Sequence, residues 1–176
     1  MDKLMSKVGF ALMTLVFRIR DLLHPRLDVL KEAGIEPGFS ILDYGCGPGS
    51  YIVPLTQLVG NSGEIYALDI NPYAIKAVRK IAARKELANI KTIESDCNTG
   101  LPNNHVDVAL LYDTFHDLLQ PDDVLRELHR VLKSGSTLSF SDHHMKAQDI
   151  IRRVTKAGWF KFSTKGKKTY SFSKVG

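Results

Sequence analysis

A short loop with glycines at alternate positions is the part of this sequence best suited to hold a ligand. It reads Asp43-Tyr44-Gly45-Cys46-Gly47-Pro48-Gly49. Glycines in such a loop let the backbone turn tightly and approach a ligand with no Cβ in the way. A dinucleotide fingerprint would place its third glycine at position 50, which is Ser50, and no Gly-Lys-Ser/Thr follows as in a P-loop. The spacing therefore favours a compact ligand with a cationic or zwitterionic tail, to which Asp43 supplies negative charge.

Acidic residues also stand at or near the ends of three consecutive predicted strands. They are Asp43, Asp69 and Asp96. Taken singly, each has an ordinary structural interpretation, as a strand-end cap, a helix cap and a turn residue respectively. Because ligands of open α/β sheets bind beyond the carboxyl ends of the strands, the three together with the glycine loop predict one ligand site.

The elements that must position these residues alternate between strand and helix. Apolar segments predict strands at 40–44, 64–68, 89–94, 106–111 and 137–141, and a closing hairpin at 159–163 and 169–173. Amphipathic segments between them predict helices at 51–59, 72–85, 121–132 and 146–157. We therefore expect an α/β fold: a doubly wound, mostly parallel seven-stranded sheet with helices on both faces and an antiparallel C-terminal hairpin. No repeat or linker interrupts the pattern, so we expect a single domain over residues 1–176.

Composition excludes several classes of protein. The chain is 44% hydrophobic and 24% charged, which excludes a disordered tail, a collagen-like fibre or a coiled coil. The net charge of +5 comes from the C-terminal end, where lysines alternate with aromatic residues over 159–174. Alternation in a hairpin places the aromatic side chains inward and the lysines outward, so we interpret this end as a lysine-protected edge strand. Two cysteines are too few for a disulfide framework, and a cytoplasmic location is expected.

The N-terminal segment predicts a helix with two apolar faces. Phe10, Met13 and Phe17 follow helical spacing on one of them. The other carries Leu4, Val8, Ala11, Leu12, Leu15, Ile19 and Leu22. The run is too short for a transmembrane segment, which needs about 20 residues. One interpretation is an ordinary helix that is buried more deeply than usual. In the other, one face packs on the domain and the second forms a substrate lid, a homodimer contact or a membrane-surface contact. With a second short helix over 26–33, residues 1–34 form an expected helical cap.

The glycine loop and the acidic residues resemble the class I S-adenosylmethionine-dependent methyltransferases. In that family the first motif, here with Asp43, Gly45, Cys46, Gly47 and Gly49, wraps the methionine part of the cofactor. The resemblance implies that Asp69 accepts both ribose hydroxyls and that Asp96 and Cys97 lie at the adenine. Ile70 and Tyr112, at the ends of the second and fourth strands, complete the expected cofactor contacts. The chain departs from the family's Pro-Gly-Gly before the fifth strand, where it has Ser134-Gly135-Ser136. The implied cofactor is S-adenosyl-L-methionine, and no metal is expected.

Catalytic candidates follow the fourth and fifth strands. Methyl transfer from a sulfonium needs alignment of the nucleophile, and a base only if the acceptor holds a proton. Asp113 and His116 are the predicted catalytic residues, and His116 matches a position where similar small-molecule enzymes often carry histidine. The alternative interpretation is a helix-start histidine bonded to nearby backbone. Asp142, His143 and His144 are further candidates after the fifth strand.

The acceptor is the least determined part of the prediction. Only residues 142–145 separate the fifth strand from the next helix, so there is no room for a substrate-binding insertion. The cap can then only be the two N-terminal helices, and an apolar helix with two faces over the pocket favours a small apolar or amphipathic acceptor, or a dimer that completes the site. An RNA or protein methyltransferase using the basic C-terminal end, and a non-catalytic S-adenosylmethionine-binding module, are the alternatives.

Overall fold

The computed structural model describes residues 5–176, so Leu4 of the larger apolar face lies outside the described residues. The strands are β1 (Ser40–Tyr44), β2 (Glu64–Asp69), β3 (Ile90–Glu94), β4 (Val106–Tyr112), β5 (Leu132–Ser141), β6 (Phe160–Lys165) and β7 (Tyr170–Lys174). The α-helices are α1 (Lys7–Leu23), α2 (Leu27–Lys31), α3 (Ile52–Val59), α4 (Pro72–Arg84), α5 (Pro121–Val131) and α6 (Ala147–Thr155). A short 3-10 helix, Phe115–Asp117, follows β4.

The seven strands form one sheet in the order β3-β2-β1-β4-β5-β7-β6. The first five are parallel, and β7 lies antiparallel between β5 and β6. This confirms the predicted mostly parallel seven-stranded sheet with an antiparallel C-terminal hairpin. Strand order reverses between β1 and β4, and that reversal opens a crevice at their carboxyl ends. The glycine loop after β1 and the residues after β4 therefore meet.

Two apolar layers cover the two faces of the sheet. Leu111 of β4 belongs to the layer under α5 and α6, whereas its neighbour Leu110 belongs to the layer under α2, α3 and α4. Both side chains are fully buried. Consecutive strand residues point to opposite faces, so a strand covered on both sides is apolar throughout. The packing explains why β4 was recognisable as a central strand.

The start of β5 differs from the predicted residue 137. The strand begins at Leu132, directly after α5, and Leu132 pairs with Val106 of β4. Gly135 has a φ of 72°, and the pairing register shifts between Val106 and Val108. Residues 133–136 therefore form an irregularity in the ladder between two paired parts of the strand.

Helix α1 packs through its smaller apolar face. Phe10 is buried and lies 6.1 Å, between ring centroids, from Tyr73 of α4. The larger face points outward, with 78% of Val8 and 63% of Leu12 exposed. A homodimer contact and a membrane-surface contact on that face both stay predictions. Within residues 5–176, none of the helices combines the length and the apolar character needed to cross a membrane.

Candidate active site

A cavity of about 450 Å³ opens at the carboxyl ends of β1, β2, β3 and β4. Its lining includes most of the predicted site residues: Gly45, Cys46, Gly47, Asp69, Ile70, Asp96, Tyr112 and Asp113. Asp43 lies buried beneath the glycine loop, and Gly49, Cys97 and His116 also lie outside the lining. Cys97 is half-buried against the apolar layer under α5. The cavity's size is within the range of small-molecule sites.

The glycine loop owes its shape to two close approaches. Gly45 has a φ of 78°, and a Cβ there would collide with the side chain of Thr114. At Gly49, with a φ of 87°, a Cβ would lie 2.8 Å from Cδ1 of Ile81. Gly47, with a φ of 51°, has no atom within 4 Å of where its Cβ would be. The loop thus packs against the protein on one side and leaves open space at Gly47 for a ligand.

Asp69 is held at the cavity wall by two backbone amides. The N–H of Gly47 donates to Oδ2 over 2.8 Å, and the N–H of Asn71 donates to Oδ1 over 2.8 Å. Burial raises the pKa of Asp69, and these two hydrogen bonds act against that rise. Each carboxylate oxygen keeps acceptor capacity, so the pair can still accept two vicinal hydroxyls.

Asp43 is a buried carboxyl group with an unsatisfied oxygen. Only 2% of the residue is exposed, and within residues 5–176 its Oδ2 has no hydrogen-bond partner. Burial, followed by the nearby charge of Asp69, raises the pKa of Asp43 to about 7. An unpaired buried carboxylate is costly and is relieved by a cation. The donor set therefore fits a ligand with vicinal hydroxyls and a positive charge.

The aromatic and sulfur groups of the cavity are neutral. Burial raises the pKa of Tyr112, whose hydroxyl lies 2.7 Å from Oγ of Ser139. Burial, followed by the charges of Asp43 and Asp69, also raises the pKa of the Cys46 thiol. These groups can line a cofactor, and a protonated thiol is a poor nucleophile.

Part of the cavity wall was not assigned to the site from the sequence. Phe10, Met13 and Phe17 of α1 line it, together with Arg20 and Tyr51. The guanidinium of Arg20 donates to Oγ of Ser50 over 3.2 Å. The only signal of this role in the sequence was the second apolar face of α1.

A second cavity of about 320 Å³ adjoins the first. Tyr51 and Asp113 line both cavities and so form their shared boundary. Asp113 has a φ of 51°, a left-handed conformation that is strained for a residue with a Cβ. Its N–H donates to the carbonyl of Ser141 over 2.7 Å, which ties the end of β4 to the end of β5.

Two histidine–aspartate pairs stand at the ends of β4 and β5. Nδ1 of His143 lies 2.7 Å from Oδ1 of Asp113, and Nδ1 of His116 lies 2.9 Å from Oδ2 of buried Asp142. The ring of His144 contacts both imidazole rings, with centroid distances of 3.9 Å to His143 and 4.2 Å to His116. A carboxylate only accepts, so Nδ1 is the donor in each pair. Nε2 of His116 also lies 3.4 Å from Oδ2 of Asp117.

The pairing divides the predicted catalytic residues. Asp113 and His116 are each bonded to a partner from the segment after β5. His143 lines the second cavity, whereas His116 lines neither cavity. Across residues 5–176, no group of three or more His, Cys, Asp or Glu side chains has an arrangement that could hold a metal ion.

The sequence pattern of a family described as a methyltransferase domain matches residues 35–171. The chain belongs to this family. The match covers the glycine loop and the whole sheet except the last residues of β7, and it leaves out helices α1 and α2, which line part of both cavities. The predicted membership of the class I S-adenosylmethionine-dependent methyltransferases is thereby confirmed.

Two of the similar solved structures match the methyltransferase over nearly their whole length. A S-adenosylmethionine-dependent methyltransferase from Aquifex aeolicus is 26% identical with a TM-score of 0.76, over 90% of this chain and 97% of that one. A putative S-adenosyl-L-methionine-dependent methyltransferase from Methanococcus maripaludis has a TM-score of 0.82 at 16% identity, over 98% and 94% of the two chains. The second likeness shows the fold alone.

The curated relatives are longer. A ubiquinone/menaquinone biosynthesis C-methyltransferase, UbiE, from Shewanella oneidensis is 28% identical over 127 residues. The aligned part is 71% of this chain and 51% of the relative, so the methyltransferase spans about half the length of the curated relatives it matches.

S-adenosylmethionine is the cofactor, as predicted. The residues present fit it: Asp69 can accept two vicinal hydroxyls, Asp43 offers an unpaired buried carboxyl to a cation, and Gly47 leaves space above the loop.

Burial of Asp43 has a testable consequence for stability. Its ordinary pKa is 3.8, and burial raises the folded-state pKa to about 7. In the cofactor-free protein, the stability contributed by the protonated carboxyl is complete below pH 3.8 and is lost as the pH rises through about 7. We expect Asp43→Asn to raise the Tm of the cofactor-free protein at pH 8. The rise is about 2–4 °C for each kcal/mol by which the substitution increases the free energy of unfolding. At pH 5 the gain is expected to be much smaller.

Thermal unfolding at the two pH values measures this, with Glu94→Gln at an exposed carboxyl as the control. Asp43→Asn is also expected to weaken cofactor binding at pH 8, because an amide offers no negative charge to the cofactor. An equal change in Tm at pH 5 and pH 8 would contradict the assigned pKa shift.

Proposed function

We propose that this methyltransferase moves the methyl group of S-adenosylmethionine to a nucleophilic atom of a small-molecule acceptor. The acceptor binds in the second cavity, and the observation that carries the proposal is that Tyr51 and Asp113 line both cavities, which places the second cavity directly beside the cofactor site. The proposal treats residues 1–176 as one domain and residues 1–34 as its helical cap. Met13 and Phe17 of the cap line the cofactor cavity, which supports this division.

The cofactor supplies an activated methyl group, and the protein supplies position and exclusion of water. Asp69 and the glycine loop hold the cofactor, Asp43 attracts its positive charge from beneath the loop, and α1 covers it. Asp96, Ile70 and Tyr112 line the same cavity, which supports their proposed contacts with the cofactor. Cys97 is also proposed to lie beside the adenine, because the adjacent Asp96 lines the cofactor cavity.

We assign proton removal to His143, held by Asp113. Nε2 of His143 takes the proton that the acceptor loses, and the Asp113 carboxylate stabilises the resulting imidazolium. The His116–Asp142 pair stands behind His144 and acts as a second proton-accepting group or as support for the cluster. UbiE is by name a C-methyltransferase, and a carbon acceptor loses a proton during methylation, so a base in this position suits such chemistry.

Transfer of a labelled methyl group tests the proposal. The protein is incubated with S-adenosylmethionine carrying a tritiated methyl group and with the small-molecule, RNA and protein fractions of a cell extract. Label is expected in the small-molecule fraction, and Asp69→Ala is expected to abolish its transfer. Label confined to RNA or protein would contradict the small acceptor. Cofactor binding with no transfer to any fraction would favour a non-catalytic binding module.

A further inference from the structure

The turn between β6 and β7 is bonded to the end of helix α2. Oε2 of Glu32 accepts hydrogen bonds from the N–H of Lys168 over 3.1 Å, the N–H of Thr169 over 2.9 Å and the hydroxyl of Thr169 over 2.8 Å. A Cβ at Gly166 would collide with the same carboxyl group. Three bonds to one carboxylate fix this turn against the helical cap, although it belongs to the far end of the chain.

This attachment brings Lys168 and Tyr170 to the second cavity, where Arg26 also lies. The lysine-rich hairpin was interpreted from the sequence as a protected edge strand, and Lys161 of β6 is indeed exposed at the sheet edge. Lys168 differs from it because it lines a cavity that reaches Asp113. One lysine of the basic C-terminal end is therefore part of the proposed acceptor site.

The carboxylates of the second cavity are already engaged. Asp113 accepts two hydrogen bonds from His143, and Asp142 accepts from His116 and from the N–H of His144. These hydrogen bonds occupy Oδ1 of Asp113 and both oxygens of Asp142, but both carboxylates keep their charge, so an anionic group is expected to bind at the opposite, cationic part of the lining.

The cations are less well compensated. Nε of Arg26 is buried and lies 2.8 Å from Oδ1 of Asp21, yet within residues 5–176 it has no partner in hydrogen-bond geometry. The ammonium group of Lys168 forms no ion pair among the described residues. An anion entering the cavity would meet one unpaired and one partly paired cation.

We propose that the second cavity binds an acidic acceptor, with a carboxylate or phosphate group held by Lys168 and Arg26. The methyl-accepting end of the molecule then faces His143 and the boundary with the cofactor cavity. The rings of Tyr51 and Tyr170 line the same cavity and offer surface to an aromatic acceptor. This inference rests on the proposed function, because it names the class of molecule that the proposed acceptor site takes.

Calorimetric titration in the presence of S-adenosylhomocysteine tests the charge preference. The probes are para-hydroxybenzoate, phenyl phosphate and the neutral para-hydroxybenzamide. We expect at least one anion to bind about tenfold or more tightly than the amide, the difference that one charge-assisted hydrogen bond gives. Whether benzoate or phosphate binds more tightly identifies the acidic group.

Lys168→Ala is expected to remove most of the preference for the anion, and Lys167→Ala is its matched control. Lys167 is exposed in the same turn but does not line the cavity. Both variants replace surface lysines, so both are expected to fold. Equal binding of anion and amide, no binding of either anion, or an unchanged preference in Lys168→Ala would overturn the inference.

The labelled-methyl assay separates this inference from the proposed function. Transfer to neutral small molecules, with no preference for anions, contradicts the acidic acceptor and leaves the proposed function standing. A preference for anions that depends on Lys168, with no label in any small molecule, supports the anion site and contradicts the proposed function.

Discussion

Asp69→Ala is expected to raise the dissociation constant for S-adenosylhomocysteine by about a hundredfold or more. The carboxylate is expected to accept two hydroxyl hydrogen bonds, each contributing about 1.5 kcal/mol or more when the acceptor is charged. It also anchors the N–H groups of Gly47 and Asn71, so its loss loosens the glycine loop as well. Isothermal titration calorimetry measures the effect.

Two variants make this result specific. Glu94→Ala removes an exposed carboxylate at the end of the neighbouring strand and is expected to leave the affinity unchanged. Asp69→Asn keeps the size of the side chain but replaces one acceptor oxygen with a donor, and is expected to weaken binding nearly as much. If Asp69→Ala binds with wild-type affinity while circular dichroism shows a folded protein, the assignment of Asp69 is wrong.

His143→Gln is expected to lower kcat by about 10²- to 10⁴-fold, the usual contribution of a positioned base. The affinity for S-adenosylhomocysteine should stay unchanged, because His143 does not line the cofactor cavity. Turnover is followed by transfer of labelled methyl groups to the acceptor that the extract fractions provide.

His116→Ala is the matched comparison. It breaks the other pair, the one with Asp142, and is expected to keep cofactor binding and to reduce turnover less than His143→Gln does. If His143→Gln turns over as fast as the wild type, His143 is not the base. A larger loss in His116→Ala than in His143→Gln would return the role to His116, the residue favoured from the sequence.

Most of the sheet could be predicted because each strand carries its own signal. Leu110 and Leu111 in a continuous apolar run indicate a strand covered on both faces, and the alternation with helices indicates parallel pairing. The start of β5 could not be predicted in the same way. Leu132 joins the strand because Val106 lies beside it, and that neighbour depends on strand order, which local sequence does not encode.

The same distinction applies to the site. Asp43 and Asp69 could be located because strand ends and glycine spacing are local patterns. The pairing of Asp113 with His143, and of His116 with Asp142, could not be predicted, because it requires β4 and β5 to be neighbours in a known register. Helical spacing likewise found both apolar faces of α1 but gave no means to choose which one packs.

Helix α1 connects an outer surface to an inner one. Its inner face, with Phe10, Met13 and Phe17, forms part of the wall of the cofactor cavity, while its outer face is exposed. A partner that binds the outer face and favours one position of the helix must also change the affinity for S-adenosylmethionine. Thermodynamic linkage then requires the cofactor to change the affinity for that partner by the same factor. An association that shifts α1 in this way is therefore expected to depend on the cofactor concentration.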